Sequence, residues 1–286
     1  MLEQAAKKLL AKSDESFQAG GPKGCNEALG HTRPFANFSL ATAQAGKKQF
    51  SKAAQSYLTY LSDPLNSDFG CDSTDWTWSY ILESIRGIAE NIDRIDPATR
   101  SDLIRKTTKA IPGGGFQAYF LTVLGEASLV DENTSHAQDY FERVFLEFPS
   151  EVLSPRPEEM LDLDTSHRAV VELGQEEDAM FESVALVSAK ALDGYLKLVT
   201  EKKIDPAALI GRMEKKLRKA NPDEAHALHF LLARILETIG QKEKASREFA
   251  LVETSLKGKQ AGCDLCKIAH QRLAEQNPAP ANPGTP

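Results

Sequence analysis

The sequence has few cysteines and tryptophans and no long apolar run. Four cysteines in 286 residues are far below the density of a disulfide-stapled scaffold. No stretch approaches the ~18 consecutive apolar residues of a membrane-spanning helix, so we expect no transmembrane segment. Glycine and proline, at 18 and 14 residues, are too scarce for collagen-like or low-complexity sequence. The remaining expectation is a soluble globular protein.

Acidic residues outnumber basic ones, at 41 against 34, which gives a formal net charge of −7. Such a chain lacks the overall basic field that attracts phosphate backbones, so we do not expect nucleic acid as its main partner. Residues 1–12 include Glu3, Lys7, Lys8 and Lys12, which interrupt the apolar core that a secretory signal needs. We therefore expect a cytoplasmic protein, or a periplasmic or secreted one if a signal peptide has been removed.

Helical periodicity dominates the chain, and alternating strand patterns are missing. The clearest apolar stripe begins at Trp78 and recurs every three or four residues, which places its members on one face of a helix. The stripe continues through Ile81, Ile85, Ile88, Ile92 and Ile95. The sequence predicts an all-α fold.

Proline and glycine divide this helical pattern into short hairpins. The pairs Asp96-Pro97, Asp205-Pro206 and Asn221-Pro222 each place a capping residue before a proline at the first helical position. The run from Ile111 to Gly115 predicts another helix stop. The connectors are therefore only a few residues long.

Two segments interrupt the hairpins and suggest domain limits. Residues 149–166 combine prolines with acids, and we interpret them as a connector between helical hairpins at 1–148 and at 167–275. Residues 276–286 hold four prolines and no charge, so we expect a disordered tail. The same pattern also fits one continuous array ending in that tail.

Three segments share a spacing of large, small and aromatic residues. The strongest, at 118–151, has Leu124-Gly125, Ala137, Phe141 and Pro149. The segment at 226–259 has Leu232, Ala233, Leu236, Gly240, Ala245, Phe249 and Val252. A looser one at 34–67 has Leu40, Ala41, Phe50, Ala53, Tyr57 and Leu61. The pattern resembles the tetratricopeptide repeat (TPR), in which small residues let two helices approach closely.

This resemblance implies degenerate tetratricopeptide-like hairpins stacked as a solenoid, with a concave face that binds a peptide or protein partner. It also implies that the first helix of each hairpin lines that face. The residues at those positions are Asn37, Gln44, Thr122, Ser128, His229 and Arg234. They do not form the Lys and Asn carboxylate clamp of chaperone-tail receptors.

Both tryptophans lie at one junction, close to the start of a predicted helix. Trp78 continues the isoleucine stripe and is expected in the core, whereas Trp76 lies off the stripe. An exposed tryptophan offers a large rigid contact area, so Trp76 is a candidate anchor for a partner.

A second candidate site combines Cys263, Cys266 and His270, which share one helical face. They could ligate a metal, with Cys25 and His31 folded beside them, or they could respond to redox conditions. The alternative is that the cysteines are small buried apolar residues. The main prediction includes no cofactor.

Charge is segregated along the chain. Residues 151–182 hold ten acids and two bases, and residues 202–219 hold seven bases and two acids. These stretches could steer a charged partner or bind anions at Lys215, Lys216, Arg218 and Lys219, or they could be ordinary solvated helix faces.

No pattern of an active site is found. GxSxG and HExxH are absent, and the glycines after Pro112 lack the following Gly-Lys-Ser/Thr of a phosphate loop. His226 and His229 lie three residues apart and could chelate a metal, but hairpin packing is the commoner explanation of such a pair. The sequence thus favours a non-enzymatic adaptor, with a metal- or redox-responsive protein as the alternative.

Overall fold

The structure is a computed structural model that describes residues 2–18, 32–63, 74–111, 113–153, 190–255 and 264–276. Within these ranges every regular element is helical and no strand occurs, so the all-α prediction is confirmed. None of the described helices is both long enough and apolar enough to cross a membrane. The α-helices are α1 (Leu2–Gln18), α2 (Thr32–Gly46), α3 (Phe50–Leu61), α4 (Thr74–Ile92), α5 (Pro97–Ala110), α6 (Gly113–Val130), α7 (Thr134–Glu147), α8 (residues 190–200), α9 (Ala207–Leu217), α10 (Pro222–Thr238), α11 (Lys242–Ser255) and α12 (Asp264–Gln276).

The chain divides into two compact units, and the division falls inside α6. The described part of the first unit ends at Ala127, and that of the second begins at Ser128. The connector predicted at 149–166 starts as a short 3-10 helix, Pro149–Leu153, and the rest of it lies outside the described residues. Of the predicted tail, only Gln276 is described, as the last residue of α12.

In the first unit, helices pack mainly on their neighbours in sequence. Helix α1 contacts α2, α2 contacts α3, and α3 contacts both α4 and α5. The predicted isoleucine stripe contributes to the core, since its four isoleucines in α4 and Ile95, just after the helix, are all buried. The side chain of Trp78, which would begin the stripe, lies outside the described residues.

The second unit repeats this neighbour packing among α9, α10, α11 and α12, and α9 also contacts α7. Two aromatic pairs pack edge to face in its core. Phe145 and Tyr195 have ring centroids 5.3 Å apart, and Phe230 and Phe249 have centroids 6.0 Å apart. Such pairs add about 0.5–1.5 kcal/mol each beyond the burial of their area.

A buried carboxylate holds α7, α8 and α9 together. Gln138 donates to Glu142 Oε1 at 2.8 Å and Tyr195 Oη donates to the same oxygen at 3.2 Å. Arg212 of α9 forms an ion pair with Glu142 Oε2. The buried charge is therefore both paired and hydrogen-bonded, as an interior carboxylate requires.

The same tight turn follows four helices, α2, α6, α8 and α10. In each turn one residue has a left-handed backbone, at Lys48 (φ 59°), Glu132 (φ 58°), Lys202 (φ 56°) and Gly240 (φ 78°). The amide after it donates to the carbonyl five residues back, as in Gln241 N to Leu236 O at 2.9 Å. This is the Schellman motif, which satisfies the last carbonyls of a helix and reverses the chain.

Two of the three predicted helix starts are confirmed in detail. Asp96 accepts a hydrogen bond from Thr99 N at 3.0 Å, and Asn221 accepts one from Glu224 N at 2.9 Å. At the third, the helix begins one residue later than predicted, with Pro206 as N-cap, and Asp205 Oδ1 accepts a hydrogen bond from Ala207 N at 3.0 Å. The run from Ile111 to Gly115 behaves differently from the prediction of a simple stop. Helix α5 ends at Ala110, but α6 already begins at Gly113, so the glycines form a first helical turn.

Candidate partner-binding site

The hairpin of α10 and α11 has the interior that the repeat pattern predicts. Every residue of the pattern on its two helices is buried, and Gly240 takes the left-handed turn position between them. The buried pattern residues are Leu232, Ala233, Leu236, Ala245, Phe249 and Val252. The two alanines allow the helices to approach closely, and Phe249 fills the space beside them.

Four residues predicted to line a binding face lie in the interior instead. Asn37, Gln44, Thr122 and Ser128 are each exposed by 7% or less. Two of them bond within the fold, since Ser56 Oγ donates to Gln44 Oε1 at 2.8 Å and Thr122 Oγ1 donates to Ala118 O at 2.9 Å. A polar side chain can be buried when a hydrogen-bond partner within the fold replaces water. Because these four side chains are buried, they do not form a surface that a ligand could contact.

The other two predicted residues, His229 and Arg234, are partly buried, and each lies next to a glutamate. His229 Nδ1 lies 2.6 Å from Glu248 Oε2, which ties α10 to α11. Arg234 Nε lies 3.4 Å from Glu237 Oε2, and burial followed by the nearby Arg272 lowers the pKa of Arg234. His229 therefore links two helices of the second unit, whereas the ion pair of Arg234 stays within α10.

The predicted anchor Trp76 belongs to α4, but its side chain lies outside the described residues. One turn later, Tyr80 joins an aromatic cluster with helix α2. Its ring centroid is 4.7 Å from that of Phe38 and 5.6 Å from that of Phe35. Phe35 is 47% exposed, so aromatic surface reaches solvent in the first unit.

An open cleft lies between α3 and α5 in the first unit, with a volume of about 530 Å³. Helix α3 contributes its exposed side, and α5 contributes two lysines at its last turns. The residues that line the cleft are Gln55, Leu58, Thr59, Ser62, Asp63, Lys106, Lys109 and Ala110. Six of these eight residues are polar or charged, although the accessible surface of the walls is mostly apolar.

The two lysines of the cleft differ in their surroundings. Lys106 Nζ forms an ion pair with Asp102 Oδ2 at 2.6 Å. Lys109 is exposed, and no acid of the described residues lies within ion-pair distance of it. Asp63 at the end of α3 is only 5% exposed. The cleft thus offers hydrogen-bonding groups along one wall and an available cation on the other.

Sequence reasoning missed this cleft because its walls come from helices more than 40 residues apart. On α3 alone, Gln55, Thr59 and Ser62 read as an ordinary solvated helix face. Only the packing of α5 against α3 makes that face one side of a concave surface.

The predicted metal or redox site is described only in part. Cys263, Cys25 and His31 lie outside the described residues. Cys266 is disulfide-bonded, and His270 on the same helix is exposed. A disulfide sulfur is not the thiolate that zinc binds, so this state of Cys266 disfavours the metal interpretation. Over the described ranges no three His, Cys, Asp or Glu side chains are grouped to hold a metal.

No protein-family model, curated protein or solved structure matches this chain. The tetratricopeptide resemblance therefore rests on the residues of the chain itself and on their packing.

Proposed function

We propose that this chain is a non-enzymatic helical-repeat scaffold, similar to tetratricopeptide proteins, that binds a peptide segment of a protein partner. The observation that carries the proposal is the open cleft between α3 and α5, with its row of polar side chains on α3 and its exposed lysine on α5. Its volume of about 530 Å³ falls within the range of roughly 300–1,000 Å³ that is typical of ligand sites.

The dimensions of the cleft suit an extended peptide. Gln55, Thr59 and Ser62 follow one another at steps of four and three residues along α3. Seven residues of helix span about 10 Å, which equals about three residues of extended chain. Side-chain amide and hydroxyl groups along this line can bond to the amides and carbonyls of such a segment.

The charge of the cleft indicates where an acidic group of the peptide would lie. Lys109 is exposed without an ion pair among the described residues, whereas Lys106 is already paired with Asp102. A carboxylate of the partner would therefore bind beside Lys109. An exposed pair of this kind contributes about 0.2–1 kcal/mol and sets orientation more than affinity.

The hairpin geometry supports the resemblance to the tetratricopeptide family. Small buried residues recur at the same place after the left-handed turn, five residues on, at Ala53, Ala137 and Ala245. A helical repeat protein uses the same hairpin packing in each unit, and these alanines take the same place in three hairpins. The units nevertheless follow one another at irregular intervals in the sequence.

Selection from a random displayed-peptide library on the purified full chain tests the proposal. Enriched peptides are then titrated calorimetrically against three variants. Thr59→Trp fills the cleft, Lys109→Glu reverses its available cation, and Lys8→Glu makes the same charge change on the exposed side of α1. We expect Thr59→Trp and Lys109→Glu to weaken binding, and Lys8→Glu to leave it unchanged.

Two outcomes would contradict the cleft proposal. One is that no peptide family is enriched over an unrelated helical protein. The other is that enriched peptides bind the Thr59→Trp variant as tightly as the parent chain while circular dichroism shows both to be folded.

A second candidate function, a redox response, is favoured by one observation. Cys266 is disulfide-bonded, and the other three cysteines of the sequence lie outside the described residues. Reversible reduction of this bond would change the constraint on α12, which packs on α11.

Peptide mapping by mass spectrometry, with and without prior reduction, tests the redox candidate. We expect a disulfide-linked peptide containing Cys266 in the untreated chain, and a shift in melting temperature on reduction that Cys266→Ser abolishes. Titration of four free thiols in the untreated, unfolded chain would rule the redox function out.

A further inference from the structure

The end of α9 concentrates positive charge on the surface of the second unit. Lys215, Arg218 and Lys219 are all exposed, and they are hereafter called the basic patch. Lys215 lies in the last turn of α9, which ends at Leu217, and Arg218 and Lys219 follow in the next turn, where Lys219 N donates to Lys216 O at 2.9 Å. Three exposed cations therefore fall within five residues of chain at this end of α9.

Other cations of this region are already neutralised within the fold. Lys216 forms an ion pair with Glu224 at the start of α10, and Arg212 forms one with Glu142. In contrast, no acid of the described residues lies within ion-pair distance of any member of the basic patch. The fold therefore leaves these three charges to solvent or to a ligand.

The exposed side chains of α9 beside the basic patch are small or polar. A Cβ atom at Gly211 would meet nothing within 4 Å, so the surface is open there. Leu209 and Met213 point into the core, and no large apolar side chain of α9 is exposed. A membrane surface usually needs apolar anchors or a longer run of cations, and α9 offers neither.

The charge of the chain also argues against a long polyanion. Three cations can neutralise only about three phosphates, fewer than the six to ten of a typical duplex-binding protein. The net charge of −7 repels an extended polyanion, but a short acidic segment experiences mainly the local field. Acidic side chains at alternate positions of an extended peptide lie about 7 Å apart, so a short acidic segment can present two carboxylates to neighbouring cations of the basic patch.

We infer that the basic patch is a docking surface for a short Asp- or Glu-rich segment of a protein partner. The inference goes beyond the cleft between α3 and α5, because it rests on a different set of residues. It holds or fails independently of peptide binding in that cleft.

Fluorescence anisotropy of a labelled oligoglutamate peptide, titrated with the full chain at low salt, tests the inference. The patch variant combines Lys215→Gln, Arg218→Gln and Lys219→Gln. The control variant combines Lys8→Gln, Lys242→Gln and Lys244→Gln, which removes the same charge from exposed sites elsewhere. Circular dichroism confirms that both variants are folded.

We expect the patch variant to bind oligoglutamate about tenfold more weakly than the parent chain, and the control variant to change affinity by less than about twofold. Lys215→Arg should retain binding, since it keeps the charge. Thr59→Trp should leave oligoglutamate binding intact, which separates this surface from the cleft.

Three results would overturn the inference. The first is that the parent chain fails to bind oligoglutamate. The second is that the patch variant and the control variant lose the same affinity for oligoglutamate. The third is that the patch variant loses more affinity for a single-stranded oligonucleotide or for phosphatidylserine vesicles than for the peptide. The last result would assign the basic patch to a different class of ligand.

Discussion

Gly194 of α8 lies directly against the ring of Phe141 of α7. A Cβ atom at position 194 would come within 2.7 Å of Phe141 Cζ, and that ring is fully buried. Any side chain at position 194 would therefore require the Phe141 ring to move. Helices α7 and α8 can approach to this distance only because a glycine lies at the crossing.

We therefore predict that Gly194→Ala destabilises the fold by about 1–3 kcal/mol, since the ring must move within a packed core. Urea unfolding measures the change. The matched control is Gly211→Ala in α9, where a new Cβ would meet nothing within 4 Å. That substitution should be neutral or stabilising by up to about 1 kcal/mol. Equal responses at the two glycines would show that the α7–α8 crossing is wrong.

The left-handed turn positions respond in opposite directions to glycine and alanine. A positive φ is sterically unfavourable for Lys48 and Glu132 because each has a Cβ atom. We therefore expect Lys48→Gly and Glu132→Gly each to raise the free energy of unfolding by about 0.5–1 kcal/mol. Gly240→Ala should destabilise by about 1 kcal/mol, because its φ is 78°. Thermal melts of the three variants check this, and a stabilising Gly240→Ala would exclude the Schellman turn after α10.

Small residues after the turns are expected to be sensitive to enlargement. Ala137→Leu and Ala245→Leu should each cost about 1–3 kcal/mol, because both alanines are fully buried at the start of the second helix of a hairpin. Ala208→Leu on the exposed side of α9 is the control and should be near neutral. Unchanged melting temperatures at Ala245 would remove the hairpin assignment there.

Alkaline pH should unfold the protein through its buried tyrosines. Burial raises the pKa of Tyr119 to about 12, and burial also raises the pKa values of Tyr60 and Tyr195. In the unfolded chain tyrosine ionises near pH 10, so the unfolded state loses its protons first. The stability due to these hydroxyls is fully present below about pH 10 and is lost as pH rises towards 12.

Urea midpoints measured from about pH 9 to 12 test this direction. For Tyr119 alone the loss should be of order 2 kcal/mol. Tyr119→Phe should lose less stability than the parent chain over the same interval. A parent chain and variant with identical pH slopes would mean that Tyr119 is not buried in the folded state.

Local sequence rules account for much of this fold. The sequence predicted the helix caps at Asp96 and Asn221 and the buried isoleucine stripe of α4, because capping and periodicity depend on neighbours within a few residues. The candidate binding face could not be predicted from such local rules. A family pattern places Asn37 on a concave face, but whether that side chain turns outward depends on which helices pack there.

Three further features could not be predicted from sequence patterns. The left-handed turns at Lys48 and Glu132 have no glycine to mark them, so only the hydrogen bonds reveal that they match the turn at Gly240. The cleft joins residues of α3 and α5 that have no shared motif. The disulfide state of Cys266 likewise could not be decided from a count of cysteines.

Site-specific photo-crosslinking tests partner binding in the cleft most directly. A photoreactive amino acid at position 59 in the full chain faces the cleft, and the same group at Glu90 on the exposed side of α4 serves as the control. After irradiation in an extract of the source cells, crosslinked peptides are identified by mass spectrometry. We predict that one partner segment is crosslinked from position 59, is absent from position 90, and is lost when Lys109→Glu is added. Crosslinks that are the same from both positions, or that persist with Lys109→Glu, would contradict peptide binding in this cleft.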